Sequence, residues 1–205
     1  MPRSTVLTST APIPPALSRT QGALSNYKKS WTGEFEPTGH GIGRSRGGLT
    51  TKIHHAVDGK GGPLAIVVTG GQRNDGAMLI DTLEDIYVPR KHGRARTTPD
   101  TVLADRGYTT AGNRSYLRSR GIKTVIPEKS DQIAARKRKG SKGGRPPGLD
   151  AEAYKGRNVV ERSFSHLKQW RGLATRYDKL ATTYRSAVVL HAVMRWLQVD
   201  LGDTP

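Results

Sequence analysis

The stretch from Thr101 to Ile126 constrains the fold more than any other part of the sequence. Thr101–Ala104 is a short apolar run, a helical pattern follows over about 111–120, and Ile122–Ile126 is a second β-prone run. Two strands joined through a helix favour parallel pairing with a right-handed crossover. The segment therefore predicts an α/β protein.

An antiparallel hairpin is predicted upstream of this unit. Residues 49–57 and 63–69 are rich in β-branched and apolar side chains, and Asp58-Gly-Lys-Gly-Gly62 between them is a turn signal. Asn74 is expected to cap a helix over about 76–87. A final apolar helix over about 183–199 is expected to lie in the core.

The first 40 residues are predicted to be a poorly structured arm, followed by one folded domain over 41–200. Ser4–Thr10 is β-prone. Prolines at positions 12, 14 and 15 follow at once and argue against a central strand or a helix.

Charge narrows the class of partner. The 205 residues include 34 Lys and Arg against 17 Asp and Glu, a formal net charge of +17. Such a balance indicates a polyanionic partner, most often nucleic acid, although a ribosomal-type basic protein has the same composition. The absence of cysteine excludes thiolate metal sites and cysteine nucleophiles. No apolar run approaches the roughly 18 residues of a membrane span, which favours a cytoplasmic protein without a membrane partner.

Two basic stretches are candidates for contact with a phosphate backbone. The glycine-rich segment Gly43–Gly48 contains Arg44 and Arg46, and a flexible loop is an equal alternative there. Residues 129–148 contain seven Lys and Arg against one acid, with interspersed Gly and Pro. They are predicted to form a mobile basic loop that contacts DNA.

The segment Tyr154–Lys168 is predicted to be a helix with a functional face. At about 100° per residue, Tyr154, Arg157, Glu161 and Lys168 fall within an arc of roughly 60°. A carboxylate between two cations and a phenol, beside an apolar flank, suggests a site. A surface helix with ordinary ion pairs is an equal interpretation of this segment alone.

A second carboxylate strengthens the interpretation as a site. Asp105 directly follows the apolar strand 101–104, and parallel sheets place their ligands at such strand ends. Asp105 and Glu161 could converge on Mg²⁺ or Mn²⁺, which bind carboxylate oxygens, waters and substrate phosphates. Metal-assisted phosphoryl transfer would suit the basic surface.

Residues 43–196 closely resemble the DDE transposases of bacterial insertion sequences. Tyr154, Arg157, Glu161 and Lys168 match the Tyr-x2-Arg-x3-Glu-x6-Lys signature of one branch of that family. Three further segments look like blocks of the same family: Gly43-Arg-Ser-Arg-Gly-Gly-Leu-Thr-Thr-Lys-Ile-His54, Leu103-Ala-Asp-Arg-Gly-Tyr108 and Asn158-Val-Val-Glu-Arg162.

The resemblance implies an RNase H-like fold, a mixed sheet of about five strands with helices on both faces. It implies that Asp105 and Glu161 are the second and third acids of a metal-binding triad, with Mg²⁺ or Mn²⁺ as cofactor. Arg157 and Lys168 would bind the phosphates of the transposon ends, with Tyr154 in support. The implied partner is double-stranded DNA at the nucleoid; a homodimer on DNA and the product of an upstream frame are further hypotheses.

The sequence departs from the family at the first acid. In the family this acid lies on the first strand, in a block like Asp-Ser-Thr-Val, and Arg3-Ser-Thr-Val6 occupies that place here. Losing one of three ligands should weaken metal binding. Family members also carry an N-terminal helical DNA-recognition region, so the expectation is a truncated or frame-split transposase with impaired catalysis when made alone.

The leading function is therefore DNA cleavage and strand transfer for an insertion sequence, and the first rival is a basic DNA-binding remnant that no longer cuts. The spacing of the Tyr-Arg-Glu-Lys signature argues against a host nuclease of the same fold. An RNA-binding protein is disfavoured because only 6% of the residues are aromatic.

Overall fold

A six-stranded sheet forms the centre of the molecule in the computed structural model, which describes residues 5–14 and 40–202, without the side chains of 198–202. The strands of this described part are β1 (Thr5–Ile13), β2 (Gly43–Ser45), β3 (Gly48–Asp58), β4 (Pro63–Gly70), β5 (Thr101–Ala104) and β6 (Lys123–Val125).

The sheet is antiparallel on one side of β1 and parallel on the other. β3 pairs antiparallel with β1, β2 and β4, whereas β5 pairs parallel with both β1 and β6. This confirms the predicted hairpin and the predicted parallel unit. Three antiparallel strands followed by parallel strands, with helices on both faces, is the RNase H-like arrangement that the resemblance implied.

The expectation that prolines exclude a strand near the N-terminus was wrong. β1 runs through Pro12, which lies opposite Lys52 of β3, and it occupies the middle of the sheet. Pairing of β1 with β5 ends at Thr8, so no described strand pairs with that side of β1 at Pro12, and the missing N–H removes no ladder bond to a described strand there. The division of the chain at about residue 40 stays a prediction, since residues 15–39 lie outside the described part.

The helices of the described part are α1 (Leu79–Glu84), α2 (Ala111–Ser119), α3 (Ser130–Arg138), α4 (Ala151–Lys155), α5 (Asn158–Gln169), α6 (Arg171–Ala174) and α7 (Ala181–Gly202). Two of them lie between strands, α1 before β5 and α2 between β5 and β6, and the others follow β6. The predicted helix over 76–87 begins as a 3₁₀ turn, Asp75–Met78, and the Asn74 side chain accepts a hydrogen bond from the Gly76 N–H as predicted.

Two apolar cores cover the two faces of the sheet. On the face that we call the α5 face, Leu7, Ile53 and Leu103 pack with residues of α5, α6 and α7. On the α1 face, Val6 and Val102 pack with residues of α1 and α2. Alternate residues of β1 and β5 thus serve opposite cores, as the twofold period of a strand requires.

Two further expectations need correction. The basic stretch 129–148 is not simply a loop, because α3 forms its first half. The final helix is only partly core: Tyr184, Val188 and Ala192 are buried, whereas Leu190 and Leu197 are exposed on the other side. None of the helices that the structure describes is long and apolar enough to cross a membrane.

Candidate functional site

Asp105 lies at the carboxyl end of β5, as predicted. Its backbone is still extended, with φ −71° and ψ 165°, and its carboxylate Oδ1 accepts a hydrogen bond of 2.7 Å from the Arg106 N–H. That bond caps the 3₁₀ turn Arg106–Tyr108. The side chain is exposed, so its remaining oxygen lone pairs face solvent.

Ser9 is the β1 residue that lies level with Asp105. Thr8 pairs with Ala104 at the end of the parallel ladder, so the next residue of each strand is Ser9 and Asp105. Both belong to the α5 face: Leu7 and Leu103, two residues earlier on each strand, lie in the core of that face. Neighbouring strands are about 4.8 Å apart, which brings the two positions side by side.

The segment that carries Glu161 is two helices rather than the single helix predicted. α4 ends at Lys155, Gly156 and Arg157 form a turn, and α5 begins at Asn158. Backbone bonds in the turn span three residues, as from Arg157 N–H to the Tyr154 carbonyl, so the chain tightens there. Glycine is a poor helix former, which accounts for the break at position 156.

The break still leaves three of the four signature residues in contact. The Arg157 Nη2 donates to Glu161 Oε1 at 2.6 Å, and its guanidinium carbon lies 5.7 Å from the centre of the Tyr154 ring. Glu161 is 52% exposed, so the pair is open to solvent. Lys168 is exposed two turns further along α5, on the same side of the helix as Glu161.

The side of α5 that carries Glu161 faces away from the turn between β3 and β4. The helix packs on β1 and β3 through Val160, Phe164 and Leu167. A Cβ at Gly61, in the turn between β3 and β4, would lie 3.3 Å from Val159 Cγ1. Since Glu161 is about 200° further round the helix than Val159, it lies on the flank away from that turn.

The arginines of the glycine-rich segment lie at the same end of the sheet. β2 contains Arg44, and Arg46 follows in the turn to β3; both side chains are exposed. β2 pairs with the first residues of β3, which lead into Thr51, the partner of Ile13 at the carboxyl end of β1. The structure thus places these arginines toward the end of the sheet where β5 finishes, without a contact to Asp105.

A buried polar network lies behind Asp105, on the α1 face. The Thr10 hydroxyl is 2.6 Å from the Tyr108 hydroxyl and 3.0 Å from His54 Nδ1, and His54 Nε2 is 2.7 Å from the Thr69 hydroxyl. Burial lowers the pKa of His54 to about 4 and raises the pKa of Tyr108 above its usual range. The network ties the turn after Asp105 to β1, β3 and β4.

Sequence reasoning missed this network and Ser9. His54 and Tyr108 each belong to a segment quoted for the family resemblance, but the two segments give no sign that they meet through Thr10. Ser9 stands in a run of Ser and Thr with no distinguishing neighbour. Only the strand register identifies both, and register depends on pairing with β3 and β5.

The α3 helix is attached to the turn that carries Asp105. Gln132 Nε2 donates to the Thr109 carbonyl at 2.7 Å, and Arg136 forms an ion pair of 2.7 Å with Glu128. Lys137, Arg138 and Lys139 at the end of the helix are exposed. The bond from Gln132 to Thr109 therefore attaches this basic helix to the turn that follows β5.

The carboxylates do not complete the implied triad. Among the described residues, no group of three or more His, Cys, Asp or Glu side chains is placed to hold a metal ion. Asp58 accepts bonds from the Lys60 and Gly62 N–H groups in its turn, and Asp75 pairs with Lys52 at 2.7 Å. The fit to a divalent cation is thus incomplete, with Asp105 and Glu161 as its two acids.

An RNase H-like sheet with an acid at the end of β5 and a second acid on a packed helix defines a class of nucleic-acid-processing folds. The model of the Transposase DDE domain family matches residues 12–196. The chain belongs to that family.

Two relatives carry names from the same class. A Burkholderia cepacia protein named as a transposase for insertion sequence element IS402 is 36% identical over 134 residues, 64% of this chain and 55% of the relative. A Brucella ovis protein named as a transposase for insertion sequence element IS6501 is 29% identical over 153 residues, 73% of this chain and all of the relative. The chain thus spans little more than half the length of the first of these relatives.

Proposed function

We propose that this chain is the DNA-processing core of an insertion-sequence transposase, whose reaction is divalent-metal-dependent DNA cleavage followed by strand transfer. The observation that carries the proposal is the position of Asp105 and Glu161 on one face of the sheet in a chain of the DDE family. Two partner hypotheses accompany it, a second copy of this chain on the DNA and a product of an upstream reading frame. A DNA substrate would place the protein in the bacterial cytoplasm, at the nucleoid.

Each residue of the site has a role in this proposal. Asp105 and Glu161 would hold Mg²⁺ or Mn²⁺, which when bound stabilises charge on a phosphoryl group. Arg157, Lys168, Arg44 and Arg46 would contact phosphates. Arg157 binds Glu161 through Nη2 in the free protein, so contact of that nitrogen with a phosphate requires the ion pair to open. The Tyr154 ring, which lies against the Arg157 guanidinium, would hold the guanidinium in position after its ion pair with Glu161 opens.

The proposal is tested by DNA nicking. Purified protein is incubated with Mn²⁺ and labelled duplex from the end of its element. Cleavage by the wild type is expected to fall on the order of a hundredfold or more in Asp105→Ala and in Glu161→Ala. Asp81→Ala removes an exposed acid of α1 and should leave the rate unchanged. Cleavage that survives both active-site substitutions would refute the assigned site.

A second candidate is a DNA-binding protein that does not cut. Two observations favour it: the residue level with Asp105 is the neutral Ser9, and Glu161 is already paired with Arg157. In the same assay this candidate predicts retention of the labelled duplex with no Mn²⁺-dependent product from the wild type. The two candidates therefore separate on the wild-type lane alone.

A further inference from the structure

We infer that Ser9 occupies the position of a missing third metal ligand, so that this chain has a two-carboxylate site which one substitution, Ser9→Asp, completes. The inference rests on the proposed function in taking a divalent cation as the ligand of the site. The affinity of the site for a divalent cation can be measured without DNA, independently of whether the protein cleaves DNA.

The register of β1 against β5 is the first step. Four consecutive pairs, from Thr5 with Thr101 to Thr8 with Ala104, fix the two strands in parallel. Continuing the ladder by one residue sets Ser9 beside Asp105, whose backbone is still extended. A side chain at position 9 and the Asp105 carboxylate thus project from adjacent strands at one level.

The register of β1 against β3 shows on which face of the sheet the Ser9 side chain lies. Ser9 lies opposite His55, and directly opposed residues of an antiparallel pair point to the same side of the sheet. His55 meets Phe164 of α5 edge to face, with ring centres 5.4 Å apart. Ser9 therefore faces α5, on which Glu161 lies about one turn before Phe164.

The other described residues of β1 do not suit the position. Thr8 and Thr10 point to the α1 face, where Thr10 is engaged with Tyr108 and His54. Leu7 is buried in the apolar core of the α5 face. Ser9 is partly exposed, so a longer side chain has room. Arg3, the position predicted from sequence, lies outside the described residues; the register assigns the place to a residue six positions later.

A hydroxyl at position 9 leaves the site one negative charge short for binding a divalent cation. A divalent cation in a carboxylate site is held by charged oxygens, and affinity follows their number. Ser9 contributes none, and the Arg157 guanidinium offsets the charge of Glu161. Of the two acids of the wild-type site, only Asp105 has no ion pair with a described side chain, so metal binding by the wild type should be weak.

The test measures Mn²⁺ binding without DNA, from the electron paramagnetic resonance signal of the free ion. Ser9→Asp is expected to bind Mn²⁺ at least about tenfold more tightly than the wild type. Ser9→Asn, which has the same shape without the charge, should match the wild type. Adding Asp105→Asn to Ser9→Asp should remove the gain, because the new carboxylate acts with Asp105.

A second variant covers the case in which Ser9→Asp does not fold. Ser9→Cys is nearly isosteric, and the chain has no other cysteine. Cd²⁺ should give a thiolate charge-transfer absorption with it that weakens when Asp105→Asn is added. Ser186→Cys, on an exposed turn of α7, is the control for a solitary thiol. Equal Mn²⁺ affinity of Ser9→Asp and Ser9→Asn, or gains that persist without Asp105, would overturn the inference. A change in nicking would bear on the proposed function instead.

Discussion

His55 shows how a single residue can set the acid stability of this fold. Its ring is buried between the sheet and α5, and burial lowers its pKa to about 4. Nε2 is buried without a hydrogen-bond partner in the described part of the chain. The folded state thus contains a neutral imidazole with one orphaned nitrogen, a costly arrangement for a polar group.

The sign of the pH dependence follows from that pKa. The unfolded chain takes up a proton on this histidine as the pH falls below about 6.5, whereas the folded chain does so only near pH 4. The free energy of unfolding therefore decreases progressively as the pH falls from about 6.5 to about 4. His54, with a pKa also lowered to about 4, adds to the same decrease.

We expect His55→Leu to reduce this acid sensitivity. The substitution removes one buried imidazole and its unpaired nitrogen, while leaving the other buried histidines, His54 and His191, in place. Urea unfolding at pH 7 and at pH 5 should show a smaller difference in free energy for His55→Leu than for the wild type. His92→Leu, in an exposed loop, is the control. An equal difference in His55→Leu and wild type would contradict the buried neutral imidazole.

At the scale of elements, local signals were sufficient for four of the six described strands, β3 to β6. Strand β5 was predicted from 101–104 and observed at Thr101–Ala104, because an apolar run bounded by polar residues carries its own signal. One error had a nonlocal cause, and one had a local cause. β1 was rejected for its prolines, although beyond Thr8 no described strand pairs with the β5 side of β1, so that Pro12 is tolerated. The helix around Tyr154 was predicted as continuous, although it tightens at Gly156.

The candidate site divides in the same way. Asp105 and Glu161 were identified in the sequence, the first from its place after an apolar strand and the second from helical spacing. Ser9, by contrast, is identified by its place beside Asp105 in the sheet. The two residues are 96 positions apart in the sequence, so no local pattern connects them. A pairing across the sheet is a property of register, and register is settled by which faces bury their apolar residues.

The α3 helix is expected to contribute charge to DNA binding. Lys137→Gln, Arg138→Gln and Lys139→Gln together remove three exposed cations at its C-terminal end. The slope of log K against log salt is negative, and each phosphate that the variant no longer neutralises should reduce its magnitude by about 0.9. The slope is measured by fluorescence anisotropy of labelled duplex over a salt series, in a metal-free buffer, so that cleavage does not interfere.

A matched variant isolates the position of the charge from its amount. Arg90→Gln, Lys91→Gln and Arg94→Gln remove the same net charge from the exposed loop before β5. If α3 contacts the duplex and this loop does not, only the α3 variant changes the slope. Equal slopes for both variants would show that the effect is one of net charge alone.

At the scale of the whole molecule, one buried arginine joins segments that are far apart in sequence. The Arg176 side chain is 1% exposed and lies between α6 and α7. Its guanidinium donates to the Thr51 hydroxyl of β3 at 2.6 Å and to the carbonyls of His40, Gly41, Asp178 and Lys179. One guanidinium thus links residues 40 and 41, the sheet and the loop that leads into α7.

The Arg176 backbone adds a further link. Its N–H donates to the carbonyl of Pro14, the last described residue after β1, at 3.0 Å. The guanidinium carbon lies 5.5 Å from the centre of the Tyr184 ring, whose hydroxyl donates to the Leu173 carbonyl at 2.6 Å. The residue therefore holds the α7 helix, which packs on β4, to the same end of the sheet as the carboxyl end of β1.

Arg176→Met is expected to lower the free energy of unfolding by about 3 kcal/mol or more, since it strands several buried acceptors at about 1–3 kcal/mol each. Arg176→Lys should also be destabilising, because an ammonium group cannot reproduce the fork of a guanidinium. Urea denaturation followed by tryptophan fluorescence measures both. Arg171→Met, at an exposed arginine of α6, should change stability by only about 0.5 kcal/mol. Full stability of Arg176→Met would mean that α7 is held to the sheet by its apolar contacts alone.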